Sequence, residues 1–306
     1  MSTPPLHVVS VSLGSTTRDK SVTANFGGRE VLIERRGTDG DMAAAQRLIA
    51  ELDGKVDAIG LGGIDLYLIA AGRRFVIQDA LKLARMAKIT PVVDGSGLKH
   101  TLERNAVLQL QNEGLYDFRG KKVLLVSAVD RFGMAEALPG LGAEVLFGDL
   151  IFGLGLPIPM RSMGALKFAA GLLLPILCRL PFSIMYPTGS KQEKIVSNKH
   201  SKYFDWADVI AGDFLYIRRY MPERLDGKVI ITNTTTAEDV ELLRARGASL
   251  LIGTTPNFDG RSFGTNVMEG VIVALTGKKP EDMTETDYLT ALKELGWKPN
   301  VVRLQG

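Results

Sequence analysis

Short apolar runs that stop abruptly in small, polar and glycine residues recur along this chain. They lie at Val9–Ser15, Ala58–Asp65, Pro91–Gly97, Leu124–Asp130, Ile230–Thr236 and Leu250–Pro256. Between them the apolar positions change period. After Gly37-Thr-Asp-Gly-Asp41, residues Ala44, Leu48, Ile49 and Leu52 fall on one helical face, with Asp41 placed to cap it. The spacing predicts strands at Leu6–Ser12, Glu30–Arg35, Val56–Leu61 and Thr90–Val93, and hairpins across Gly27-Gly28 and Ala71-Gly72. Helices are predicted at Asp79–Lys88 and Leu98–Asn112. Beyond Lys122 the alternation is cleaner: strands Val123–Val126, Glu144–Phe147, Val209-Ile210, Val229–Ile231 and Ser249–Ile252 alternate with helices. Those helices are Met134–Leu138, Phe214–Tyr220, Ala237–Arg246 and Thr265–Leu275, and a last one covers Glu285–Leu295.

Strands alternating with helices imply crossover units and parallel pairing. The expected fold class is therefore α/β, with two α/β domains. The second is Rossmann-like, a mainly parallel sheet with helices on both faces. The turn signals around Phe118–Gly120 place the boundary there. Residues 1–119 form an N-terminal domain on the substrate side, and 120–306 a domain with an apolar insertion at about 150–190. In open α/β sheets ligands bind beyond the carboxyl ends of the strands, where these polar loops converge.

Composition narrows the classes. Of 306 residues 45% are hydrophobic, enough for a substantial core, and a net charge of +3 without a clustered basic stretch gives no footprint for nucleic acid. One cysteine, Cys178, rules out an internal disulfide or cysteine-based zinc site. His7, His100 and His200 do not share metal-ligand spacing, so no metal is expected. The first residues lack the charged start and apolar core of a signal peptide, and the expected location is cytoplasmic.

Asp94-Gly-Ser-Gly-Leu-Lys-His100 is the densest set of reactive side chains. Lys99 falls in the first turn of a helix, where the dipole disfavours its charged form and suits it to general-base use. A lysine paired with an aspartate can shuttle an alcohol proton while hydride leaves its carbon. Asp94 and Asp130 are the candidate partners, with Asp65 facing the same cleft.

Val123–Ala137 occupies the position of a first dinucleotide-binding turn. Ser127 and Val129 stand where glycines are usual, and Gly133 alone remains. Asp149, about 20 residues on, takes the place of the acid that holds a ribose diol and favours NAD over NADP. Asn233, Thr234 and Thr254 add polar groups after neighbouring strands, and Gly264 opens a helix whose free amides suit an anion or cofactor amide. The cofactor expected is thus NAD or NADP. The rival reading is a Rossmann-like protein that holds a small anion or lipid-like ligand and no nucleotide.

The chain resembles a bacterial family labelled quinate 5-dehydrogenase. The resemblance runs nearly end to end, through Ser10-Val-Ser-Leu-Gly-Ser15, Arg36-Gly-Thr-Asp-Gly-Asp41, Gly62-Gly-Ile-Asp-Leu-Tyr67 and Val93-Asp-Gly-Ser-Gly-Leu-Lys99. It continues in Ser127-Ala-Val-Asp-Arg-Phe-Gly-Met134 and Gly260-Arg-Ser-Phe-Gly-Thr-Asn-Val-Met-Glu269. It implies kinship with quinate and shikimate dehydrogenases and NAD(P)-dependent chemistry at an alcohol or ketone carbon of a small molecule. Lys99 and Asp130 stand as loose analogues of the catalytic lysine and aspartate of shikimate dehydrogenases, whose own Asn-x-Thr-x-Pro-x-Lys and Asn-Thr-Asp segments do not occur here. The expected site lies between the two halves.

One stretch is not needed by such an enzyme. Leu150–Gln192 contains no acidic residue, while Arg161, Lys167, Arg179 and Lys191 punctuate apolar sequence. The uncharged run Phe168–Cys178 is too short to span a bilayer, and Pro175 and Pro181 would interrupt a helix. A buried helix or a homodimer interface is the favoured expectation, and peripheral contact with anionic lipid the other.

Overall fold

The computed structural model describes residues 4–181, 200–255, 257–258 and 261–305. The fold is α/β, as the alternation predicts, and divides into two compact units. The first comprises Met1–Thr101, Leu173–Lys191 and Phe263–Trp297; the second comprises Leu102–Leu172, Gln192–Ser262 and Lys298–Gly306. The exchange thus falls at 101/102, inside a helix, where turn punctuation had placed it at 119/120. Phe263–Trp297 returns to the first unit, a long-range association that no local pattern encodes.

The first unit contains strands β1 (Leu6–Ser12), β2 (Lys20–Phe26), β3 (Arg29–Gly37), β4 (Ala58–Gly62), β5 (Tyr67–Ala70), β6 (Arg73–Val76) and β7 (Val92–Val93). Its main sheet has the order β2-β3-β1-β4-β7, while β5 and β6 form a separate hairpin. β1 runs parallel to β3 and β4, and β2 is the antiparallel edge. The sequence shows why. β1 is buried without alternation from Val8 to Ser12, as a central parallel strand covered on both faces must be, whereas β2 alternates towards solvent.

The helices in chain order are α1 (Met42–Leu52), α2 (Gln78–Ala84), α3 (Ser96–Asn112), α4 (Phe132–Gly140), α5 (Met163–Leu177), α6 (Ser201–Trp206), α7 (Phe214–Tyr220), α8 (Ala237–Ala245), α9 (Thr265–Thr276) and α10 (Glu285–Glu294). Asp41 caps α1 through Ala44 N–H, and Thr236 caps α8 in a reciprocal box with Asp239. α9 packs directly on β1 and β4. Two glycines permit this contact: a Cβ on Gly60 would stand 2.9 Å from Asn266 O, and one on Gly270 would stand 2.9 Å from Val8 Cγ1.

The second unit carries β8 (Lys122–Leu125), β9 (Glu144–Phe147), β10 (Val209–Gly212), β11 (Val229–Thr232), β12 (Leu250–Gly253), β13 (Asn257–Phe258), β14 (Arg261–Ser262) and β15 (Asn300–Arg303). β13 and β14 pair with each other, and the remaining strands form one sheet in the order β15-β12-β11-β10-β8-β9. Its strands are parallel except β15, an antiparallel edge that the sequence does not predict, because its four residues Asn300–Arg303 are too short a run to stand out. From β8 the chain passes to β9 on one side and then to β10 on the other. The carboxyl ends of β8 and β10 therefore mark a topological switch point. Leu124, Leu146, Ile210, Ile230 and Leu251 join Phe152 and Phe204 in the core.

α5 corrects the picture of the apolar stretch. Leu166, Ala170, Leu174 and Cys178 are buried, but Phe168, Leu172 and Ile176 on the opposite face are 74%, 59% and 61% exposed. The helix also runs through Pro175, which sits two residues from its end and so leaves only the Gly171 carbonyl without its helical donor. Residues 182–192 of the stretch lie outside the described residues. Among the described residues no helix is long and apolar enough to cross a membrane.

Candidate functional site

In the first unit the loops after β4 and β7 meet the starts of α3 and α9. Asp65 follows β4 after Gly62-Gly63, and Asp94 follows β7. The chain then turns through Gly95 at φ 93°, where a Cβ would stand 2.7 Å from Asn266 N, so only glycine fits. Four residues later Lys99 Nζ donates to Asp65 Oδ1 at 3.0 Å. Their side chains are 11% and 17% exposed, so the pair is largely shielded yet still reachable from solvent.

Asp94 turns elsewhere. Its Oδ2 accepts Leu66 N–H at 2.5 Å and lies 2.5 Å from Ser96 Oγ, and Ser96 Oγ also lies 2.7 Å from Tyr67 O. A serine has one hydroxyl proton. If Ser96 gives it to Tyr67 O, the proton in the short contact comes from Asp94. That suits an Asp94 carboxyl whose pKa burial raises, with the Asp65 charge adding to the effect.

Beside it lies Glu269 from α9, which accepts Gly95 N–H and the Tyr288 hydroxyl, each at 2.6 Å. Burial pushes the Glu269 carboxyl up to about 7, and the neighbouring Asp94 adds to it. Burial likewise raises the Tyr67 and Tyr288 phenols. Such a concentration of perturbed acids beside an ion pair marks a candidate site. Sequence reasoning singled out Lys99, Asp94 and Asp65 but gave Glu269 no role. Its signal was available: it is the one acid inside the apolar helix Thr265–Thr276.

The remaining candidates separate. Gly264, at the start of α9, belongs to the first unit, while Ser127, Asp130, Gly133, Asp149, Asn233, Thr234 and Thr254 belong to the second. Asp130 is thus not brought to Lys99 within one unit.

At the second unit's switch point Arg131 is 2% exposed and pairs with Glu103, with Asp130 at 3.4 Å and with Asp213 at 3.2 Å. Glu103 is 1% exposed and also takes the Thr254 hydroxyl at 3.3 Å. Asn233 holds Asp213 Oδ2 at 2.9 Å and accepts Phe214 N–H at 3.1 Å. Asp213 N–H reaches Ser127 Oγ at 3.5 Å, and the Thr234 and Thr255 hydroxyls lie 3.3 Å apart. Gly133 is buried within α4. The Glu103–Arg131 pairing was missed, because neither residue stands out from the polar positions around it.

Asp149 does not stand free for a ribose. Its Oδ1 accepts Val129 N–H at 2.8 Å, and its Oδ2 is buried without a hydrogen-bond partner. Burial pushes this carboxyl up to about 6, against the stabilising amides of Val129 and Ala128. The amides of the first βα turn are the groups that would cradle a pyrophosphate. Here a carboxylate already takes them, and Asp130, Asp213 and Glu103 surround the turn with one guanidinium. As arranged, these residues do not fit a pyrophosphate. Among the described residues no group of three or more acidic, histidine or cysteine ligands could hold a metal ion.

The sequence profile described as Domain of unknown function (DUF8754) matches residues 97–304, and that described as Domain of unknown function (DUF8753) matches residues 7–94. The chain belongs to the DUF8754 family. No curated protein matches the sequence. Among solved structures, it is similar to hetero-hexameric glutamate dehydrogenase from Thermus thermophilus in its Leu-bound form, at 15% identity and TM-score 0.44, covering 96% of this chain and 74% of that one. Malic enzyme from Entamoeba histolytica matches at 11% identity and TM-score 0.41, with 93% and 61% covered. GanP, a glucose-galactose binding protein from Geobacillus stearothermophilus, matches at 11% and 0.38, with 99% and 98% covered. Dehydrogenases and a sugar-binding protein are matched alike, and the likeness favours neither.

Proposed function

We propose that the protein is an enzyme acting on an alcohol or ketone carbon of a small polar molecule, with Lys99 moving the proton and Asp65 orienting it. The observation that carries this reading is the shielded Lys99–Asp65 pair at the carboxyl edge of the first unit's parallel sheet. Asp65 keeps the ammonium at a fixed point, while Asp94, tied to Leu66 and Ser96, shapes the loop between them. Positioned proton transfer of this kind contributes about 10²–10⁴-fold to rate. The reading agrees with the oxidoreductase class implied by the quinate 5-dehydrogenase resemblance, and includes a cytoplasmic location.

Whether NAD or NADP takes part turns on Asp149. The rival reading, a ligand-binding protein without nucleotide, is favoured by the carboxylate that occupies the Val129 amide. Calorimetric titration with both nucleotides separates the two. If a dinucleotide binds at this turn, its affinity rises as pH falls through about 6, where Asp149 gains a proton and loses its charge. Asp149→Asn should then bind it more tightly than the wild type at pH 8. Absence of binding to either nucleotide at about millimolar concentration, by wild type and variant alike, would remove the dinucleotide from the account.

The exposed stripe Phe168, Leu172 and Ile176 supports the homodimer proposal, since large apolar side chains repeated along one helix face seldom stay in water. Phe168→Glu should convert a dimer to a monomer by light scattering. A wild-type monomer that co-sediments with anionic vesicles, and loses this with the same substitution, would assign the stripe to a membrane surface instead.

A further inference from the structure

The carboxyl end of β1 in the first unit carries a second feature that the Lys99 reading does not use. β1 ends at Ser12, passes through Leu13-Gly14-Ser15 and makes a short turn over Thr16–Arg18 before β2. Two guanidinium groups converge on Gly14. The position of a Gly14 Cβ would lie 2.6 Å from Arg18 Nη2, 2.9 Å from Arg35 Nη2 and 3.3 Å from Ser12 Oγ. Any side chain there would displace both.

The two arginines are held differently. Arg35, at the end of β3, is half-buried and fixed by Ser15 O at 2.9 Å, Asp19 Oδ1 at 2.7 Å and Ser12 Oγ at 2.9 Å. Its pKa is lowered, first by burial and then by the Arg18 charge. Arg18 is exposed, and among the described residues its guanidinium has no hydrogen-bond or ion-pair partner. The nearby acids are engaged elsewhere. Asp19 is shared between Arg35 and Gly37 N–H, and Asp39 takes both the amide and the hydroxyl of Thr16. Ser15 Oγ and Thr17 Oγ1, 2.8 Å apart on the exposed side of the turn, add hydroxyls.

Asp19 balances Arg35, with Asp39 close by, so the Arg18 guanidinium beside Gly14 is the charge left to take an anion, with Arg35 as a fixed second donor. The position reinforces this. The chain leaves β1 for β3 on one side and returns to β4 on the other, so the end of β1 is the switch point of this sheet. The geometry also bears on which anion. One guanidinium fork satisfies the two oxygens of a carboxylate, whereas a phosphoryl group presents three oxygens and accepts from two forks approaching from different sides.

We propose that Arg18 and Arg35 bind the phosphoryl group of a small phosphorylated ligand at the carboxyl end of β1. This deepens the reading of the first unit as the ligand-holding unit, but its test measures binding, so it can fail while the Lys99 reading stands. The full chain is titrated calorimetrically with inorganic phosphate and, separately, with malonate. The expected result is saturable phosphate binding, weakened about tenfold or more in Arg18→Gln, the scale of one charge-assisted hydrogen-bond set. Arg47→Gln, which removes an exposed charge from α1, should bind as the wild type does. No phosphate binding at about 10 mM overturns the proposal. So does an equal loss in Arg18→Gln and Arg47→Gln, or malonate binding as tight as phosphate and equally sensitive to Arg18.

Discussion

Arg131→Met should cost the second unit about 3–5 kcal/mol of stability, the range seen when one partner of a buried ion pair is removed. The reason is the company Arg131 keeps. Glu103 is 1% exposed, and Asp130 and Asp213 also lean on the same guanidinium. Without it, Glu103 keeps a buried charge that has lost its guanidinium, beside the Asp130 and Asp213 carboxylates. The lost attraction matters less than the uncompensated desolvation of Glu103. Urea unfolding with a probe in the second unit, such as Trp206 fluorescence, reads this directly. The double substitution Arg131→Met with Glu103→Leu should recover much of the loss, because an apolar pair of similar volume replaces a charge left alone. A loss below about 1 kcal/mol in the single variant, the value of an exposed pair, would show that the network is not the dry cluster described.

Local physics made much of the fold legible. Central parallel strands announced themselves as apolar runs ending in glycine and small polar residues, and β1, β4 and β8 lie where those runs lie. Asp41 was readable as a cap because its side-chain oxygen acts within three residues. What could not be read is set by long-range association. The return of α9 to the first unit is permitted by Gly60, which lets the Asn266 backbone approach β4, and by Gly270, which makes room for the Val8 side chain, and two glycines far apart in sequence do not announce each other. β15 pairs with β12 from nearly 50 residues away, leaving no local trace of its partner.

The site was legible in the same proportion. Lys99, Asp94 and Asp65 stood out because they follow strand ends, and the structure gathers them in one unit. Asp149 was placed at the right distance from the turn, but spacing does not say which way a carboxylate points, and here it turns back to the Val129 amide. Glu103 and Arg131 form the most buried ion pair among the described residues of the second unit, from positions 28 residues apart, on a helix and a turn with unremarkable polarity.

The most direct test of the account is turnover by Lys99→Met. A panel of small hydroxy and oxo compounds, free and phosphorylated, is assayed with and without NAD and NADP. Any compound converted by the wild type is then given to the variant. Methionine keeps roughly the length and the apolar stem of lysine and removes the ammonium, so the fold should survive, with Asp65 still in part reached by solvent. A positioned proton-transfer group contributes about 10²–10⁴-fold, so turnover should fall by at least about 10²-fold while thermal stability changes little. Asp65→Asn, which leaves the lysine in place without its charged partner, should fall between the two. A folded Lys99→Met protein that converts the same compound at the wild-type rate would contradict the account.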